Sequence, residues 1–319
     1  MNPDDRNHLD RRDALRILGG LSLGAGLLRP RYAQAQSAAK PAPAPEESGG
    51  EIIIPAWYYQ HFDADYALPT PEAGFGGWKK ESLPFSRKHT ALVVMHAWDA
   101  GHAYEDYPGW WRAVPYIPRA NKIVEEVFPP LLETVRASDW PVFHVVGGGD
   151  YYQQLPGYQR AKALAGESTT TLPKVEPDPV KARLDAFRSE KVFTGTHNAA
   201  DIGRGFAQLD FPEAACPVGE EGVAENGAQL YALCREAGIN HLVYCGFAIN
   251  WCLLLSPGGM AEMQQYGCMC SAIRDATTAV ENKESAPEEW AKEIALWRVA
   301  LAFGFVFDSP DVITALAES

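Results

Sequence analysis

The chain has 319 residues, 46% of them hydrophobic and 22% charged, with a net charge of −13. Those proportions exclude wholesale disorder, a collagen-like repeat and a polytopic membrane protein. The first 35 residues carry six Arg and four Asp, which leaves the remainder at −15, so nucleic acid and anionic lipid are repelled and are not expected partners.

Arg11 and Arg12 lie in a charged segment that precedes an apolar, Gly-rich run over residues 17–28. The run is shorter than the roughly 20 residues that span a bilayer. With small residues at Ala33 and Ala35, it reads as a signal peptide over 1–35. The paired arginines resemble a twin-arginine export signal. Periplasmic localisation is therefore expected, with no integral membrane span left after processing. Residues 36–50 are a Pro/Ala linker. Residues 51–88 are expected to form an N-terminal arm with one short strand followed by Pro- and Gly-rich loop.

From residue 89 a repeating pattern begins. The continuous apolar run at 90–96 predicts a parallel strand buried on both faces. A long helix is predicted over 117–138, kinked or broken by Pro129 and Pro130. A second strand over 140–146 closes on the triple glycine 147–149. The stretch from about 150 to 215 is polar and irregular, an insertion with a helix near 180–188. Helices over 227–237, 260–265 and 288–301 then alternate with strands over 240–246, 267–273 and 302–307. Strands alternating with helices predict an α/β fold, a three-layer α/β/α sandwich around a mainly parallel, roughly six-stranded, Rossmann-like sheet. No Gly-rich phosphate-binding motif follows the first strand, so nothing points to a nucleotide.

Ligands of open α/β sheets bind beyond the carboxyl ends of the strands. Three such ends carry candidates: His96, Trp98, Asp99 and His102 after the first strand, the triple glycine after the second, and Ala248, Asn250 and Cys252 after the strand at 240–246. All six cysteines lie between 216 and 270, without a C-x-x-C pair or zinc spacing. Five of them read as small buried hydrophobes. Cys252 stands apart, because it falls where the next helix should begin. A helix N-terminus stabilises a thiolate and can supply an oxyanion hole.

Residues 228–278 resemble the isochorismatase-like cysteine hydrolases, which include nicotinamidases and N-carbamoyl amidases. The resemblance rests on a helix, Gly238-Ile239, an apolar strand, Gly246-x-Ala248-x-Asn250-x-Cys252, and the later Asp275-Ala276-Thr277. Residues 90–146 match more loosely. The resemblance implies a cysteine nucleophile at Cys252, an Asp ending the first strand, and a Lys before the helix that precedes the cysteine strand. Here the Asp position is His96, with Asp99 three residues later. The Lys position falls near 219–221, where no lysine stands, and Lys191 could serve only across an insertion. The resemblance also implies a cis peptide at Phe247–Ala248.

The thiol still needs a proton acceptor. His96 oriented by Asp99 is the candidate, with Trp98, Ala248 and Asn250 as substrate contacts. Trp98, Trp110 and Trp111 either line an apolar pocket or simply pack. A metal on His96, Asp99 and His102 lacks a further ligand, and no cofactor is expected. The expected function is hydrolysis of an amide or related C–N bond in a small-molecule substrate. The alternative is a catalytically degenerate member that binds a ligand or partner. A homo-oligomer is among the expected states.

Overall fold

The computed structural model describes residues 50–61, 65–99, 101, 111, 114, 116–166 and 175–318. The expected signal peptide, nearly all of the linker, His102 and Trp110 lie outside them. The described residues belong to one compact unit, Glu47–Ser319.

The order of elements is β1 (Glu51–Gln60), β2 (Gly77–Ser86), β3 (Thr90–Met95), α1 (Ile117–Glu126), α2 (Phe128–Arg136), β4 (Val142–Val145), α3 (Pro156–Ala165), α4 (Pro179–Lys191), α5 (Ala199–Phe206), β5 (Gly222–Ala224), α6 (Gly227–Ala237), β6 (His241–Gly246), α7 (Met260–Gln265), β7 (Met269–Thr277), α8 (Trp290–Ala302), β8 (Val306–Phe307) and α9 (Ser309–Ala317). All strands join one sheet in the order β2-β1-β8-β7-β6-β3-β4-β5. From β8 to β5 the pairings are parallel, and β1 adds antiparallel to both β8 and β2.

The sheet therefore has eight strands rather than six. The arm expected over 51–88 is a hairpin of two ten-residue strands. Pro84 and the charged run Lys79-Lys80-Glu81 disguise β2 in the sequence. Both are tolerated because β2 is the edge strand, where an unpaired N–H or an exposed charge costs little. The break expected in the helix over 117–138 is there: two helices meet at Val127. Pro129 and Pro130 fall in the first turn of α2, where no N–H is missed. The final strand is only two residues long, because residue 302 still belongs to α8.

Alternation along β3 shows how the layers form. Ala91, Val93 and Met95 face a core shared with α3, α6, α7 and α8. Leu92 and Val94 face the opposite core, shared with α1, α2 and α9. A strand buried on both faces has no polar side to show, hence its unbroken apolar sequence. Cys234, Cys268 and Cys270 pack in the first core and Cys245 in the second, the role expected of them, whereas Cys216, expected to be buried too, is exposed.

One polar cluster is built into the second layer. Glu221, just before β5, accepts from Arg136 Nε at 2.7 Å and Nη2 at 3.0 Å and from Val218 N at 3.0 Å, and pairs with His144 Nε2 at 2.9 Å. Burial alone would raise its pKa, but the His144 and Arg136 hydrogen bonds hold it down at about 2. Removing one partner strands the others. Glu221→Gln is expected to cost about 3 kcal/mol in urea unfolding at neutral pH. The Glu221 contribution is complete above the ordinary carboxylate pKa and fades as pH falls toward about 2. A variant as stable as the parent would show that the cluster contributes nothing.

Candidate active site

The chain steps from β3 outward to β4 and β5, then crosses back to β6 on the other side of β3. The strand order therefore reverses between β3 and β6, the point at which open α/β sheets bind ligands beyond the carboxyl ends. His96 leaves β3 there, and the turn bearing Cys252 leaves β6. Met95 pairs with Gly246, and Phe247 N donates to Met95 O at 3.1 Å, so the two exits start side by side.

Cys252 does not open a long helix as expected. It lies in a five-residue π-helical turn, Ile249–Leu253. Leu253 N donates to Ala248 O, five residues back, at 3.2 Å. So short a turn lacks the macrodipole of a full helix, and the expected dipole activation of the thiol does not apply. Ile249 and Leu253 are buried beneath the turn, while Cys252 is half-buried and a free thiol. The Phe247–Ala248 peptide is cis, as expected.

Two of the expected substrate contacts serve the turn itself. Asn250 Nδ2 donates to Val280 O at 2.8 Å and Oδ1 accepts from Val280 N at 2.9 Å, which ties the turn to the segment after β7. Ala248 is 2% exposed, and its carbonyl holds the turn closed. Ala248 has no exposed surface left for a substrate, while Asn250 is half-buried with its amide engaged by Val280.

His96 is 9% exposed and adopts φ +51°, a left-handed conformation uncommon for a residue with a side chain. Strained backbone of this kind persists where the surroundings enforce it, commonly at functional sites. Its ring stacks on Trp98 at 5.0 Å and 16°, and Nδ1 has no hydrogen-bond partner. Trp98 thus reaches the site by packing on the histidine.

Asp99 is not the orienting carboxylate that was expected. Its Oδ1 accepts from Gly101 N at 2.8 Å and its own N–H is held by Asp210 O at 2.8 Å, so it closes a local turn. Among the described residues, no hydrogen bond joins the Cys252 sulfur to His96 or Asp99. Tyr116, just before α1, feels the charge of Cys252. Burial first, then the charge of Cys252, pushes its hydroxyl well above the ordinary tyrosine range. Nothing in the sequence around residue 116 marks it, because its place depends on how α1 docks.

The residue beyond β5, on the same end of the sheet, is Glu225. It accepts from Tyr152 at 3.0 Å and Tyr158 at 2.9 Å. The lysine sought before that helix is therefore absent, and a tyrosine-bound carboxylate ends β5. A three-residue strand gives too little periodicity to be read in advance. Among the described residues, no three His, Cys, Asp or Glu side chains converge to hold a metal ion. None of the described helices is long and apolar enough to cross a membrane.

Burial lowers the pKa of His96 to about 4, partly opposed by the Val146 carbonyl. Burial alone does the same to His241, whose Nε2 lies 2.8 Å from Ser271 Oγ. Both are neutral in the fold at neutral pH. The unfolded chain binds these protons near pH 6.5, the fold only near 4, so stability is lost as pH falls through that window. The loss is expected to reach about 3 kcal/mol per histidine. Urea unfolding at pH 7, 5.5 and 4 measures it, and a flat profile would refute neutral burial.

The fold and the site define a doubly wound α/β sandwich with a cysteine turn at its switch point. No family model matches the chain, and no curated protein matches it. Among solved structures it is similar to a cysteine hydrolase from Pseudomonas syringae pv. phaseolicola 1448A, at 15% identity over 74% of this chain and 96% of that one, TM-score 0.46. An isochorismatase family protein from Burkholderia thailandensis is similar at 20% identity, covering 72% and 96%, TM-score 0.40. An N-carbamoylsarcosine amidase from Thermoplasma acidophilum is similar at 16% identity, covering 69% and 96%, TM-score 0.36.

Proposed function

We propose that the chain is an exported cysteine hydrolase that cleaves an amide or related C–N bond of a small molecule, with Cys252 as nucleophile. The observation that carries this reading is a half-buried free thiol on a pinned turn at the switch point of the sheet, one strand from the strained His96. In the proposed sequence the Cys252 thiol loses its proton and the sulfur attacks the carbonyl carbon. The tetrahedral intermediate collapses with expulsion of the amine, which takes up a proton. The resulting thioester is hydrolysed by water to the acid, restoring the thiol. His96, neutral and with Nδ1 free, is the proposed proton acceptor. Such contacts are often long without substrate and tighten around it.

One observation favours a second reading, a binding protein without turnover. Neither His96 nor Asp99 hydrogen-bonds the sulfur. Alkylation of Cys252 by iodoacetamide as a function of pH separates the two. A profile centred near the ordinary thiol value of about 8.5 supports the binder, and reactivity that persists well below it supports the hydrolase. Export is tested by Arg11→Lys with Arg12→Lys, which is expected to leave the protein in the cytoplasmic fraction.

A further inference from the structure

Two of the buried cysteines face one another. Cys234 lies in the last turn of α6 and Cys268 immediately precedes β7, and both belong to the first core, 1% and 6% exposed. The backbone brings them together. Past Cys234 the chain turns at Gly238, where Ile239 N donates to Cys234 O at 2.8 Å, and runs straight into β6. Cys268 N donates to Met263 O at 3.2 Å and Met269 N to Asn240 O at 2.8 Å, so β7 starts beside β6, next to the turn that ends α6. The two thiols hydrogen-bond to one another.

The remaining cysteines stand apart from this pair. Cys270 is the third thiol of the same core, but its Sγ donates to backbone, 3.9 Å from Met260 O and 3.7 Å from Cys268 O. Cys245 lies in the opposite core, Cys216 is exposed, and Cys252 is on the turn beyond the far end of β6. Among the described residues, no three such side chains converge as metal ligands would.

We propose that Cys234 and Cys268 form a disulfide when the folded chain meets an oxidant that itself carries a disulfide, such as glutathione disulfide. The hydrogen bond from Cys234 holds the Cys268 thiol below its ordinary value, and the same bond together with burial pushes Cys234 up. Cys268, also the more exposed of the two, is therefore the attacking sulfur. Its thiolate attacks one sulfur of the oxidant, the oxidant's S–S bond breaks, and one thiolate departs. Cys234 then loses its proton, attacks the Cys268 sulfur and expels the second thiolate. The two cysteines are oxidised, and the oxidant ends as two thiols that carry the two protons the cysteines lost. The bridge closes the loop 234–268, which contains β6, the turn that carries Cys252 and α7. A cross-link of this span narrows the unfolded ensemble and so stabilises the fold. This holds whether or not Cys252 is a nucleophile.

The test is to incubate the folded chain with glutathione disulfide, block free thiols with N-ethylmaleimide, and digest with chymotrypsin without reduction. Mass spectrometry is expected to find the peptide carrying Cys234 joined to the peptide carrying Cys268 and Cys270, and dithiothreitol to separate them. Cys268→Ala is expected to abolish the link and Cys270→Ala to keep it, which assigns the sulfur. In urea, the unfolded-to-folded ratio of the oxidised chain is expected to fall at least about 100-fold below that of the reduced chain. No linked peptide in the parent, a link that survives Cys268→Ala, or glutathione left on Cys268 without closure would overturn the pairing. Equal unfolding of the two forms would overturn the constraint on the loop.

Discussion

Cys252→Ala is expected to lower hydrolysis of any responsive small-molecule amide at least about a thousandfold, with the fold intact. The expectation follows from the division of labour at the site. Asn250 and Ala248 hold the turn and Trp98 packs on His96, which leaves the half-buried sulfur as the nucleophile these residues present. Cys252→Ser keeps the shape of the turn and should lose nearly as much, since a hydroxyl is far less ionised than a thiol at neutral pH. The measurement is an amide panel on the mature protein, with intact mass spectrometry to trap an acyl adduct on Cys252. Turnover that survives Cys252→Ala would end the nucleophile assignment.

Gly246→Ala is expected to cost about 4 kcal/mol or more, among the largest single effects available in the chain. Gly246 sits at φ +121°, a conformation closed to other residues, and a Cβ there would lie 1.9 Å from Met95 O. The clash is with backbone, which cannot step aside as a side-chain tip could. The ends of β3 and β6 meet at this point, so the substitution pushes apart the two strands from which His96 and Cys252 emerge. Urea unfolding reads the stability, and iodoacetamide labelling of Cys252 reads the turn. A variant with parental stability would show that the strands separate without cost.

The layers were legible because they are written in burial. The run at 90–96, the helices around Cys252 and the strand before it carry unbroken or periodic apolar signals, and these set the α/β class and the place of the site. The hairpin at the sheet edge was not legible, since β2 is solvent-exposed with Pro84 and a charge run and so needs no apolar face. Cys252 could be singled out by type and position after a strand. Its neighbours could not, because Tyr116 and Glu225 reach the same end of the sheet through the docking of α1 and the three-residue strand β5. Asp99 misled for the opposite reason. Its closeness to His96 in sequence suggested a partner, whereas an Asp two residues before a glycine readily closes a local turn.

The pairing of β1 with β8 has a consequence for synthesis. Trp57 is opposite Val306 in the sheet, and its indole N–H donates to Asp308 Oδ2 at 2.7 Å, across most of the chain. Ribosomes deliver the N-terminal end first, and a contact this distant in sequence must wait for the last strand to emerge. The β1–β2 hairpin can form locally, but it has no sheet to join until translation is nearly finished. Until then its apolar inner residues, Ile52, Ile54 and Ala56, have no permanent cover. The nascent chain therefore passes through a stage in which its first-made strands depend on a chaperone or on their own brevity to stay unaggregated, and completion of the sheet marks the end of that stage.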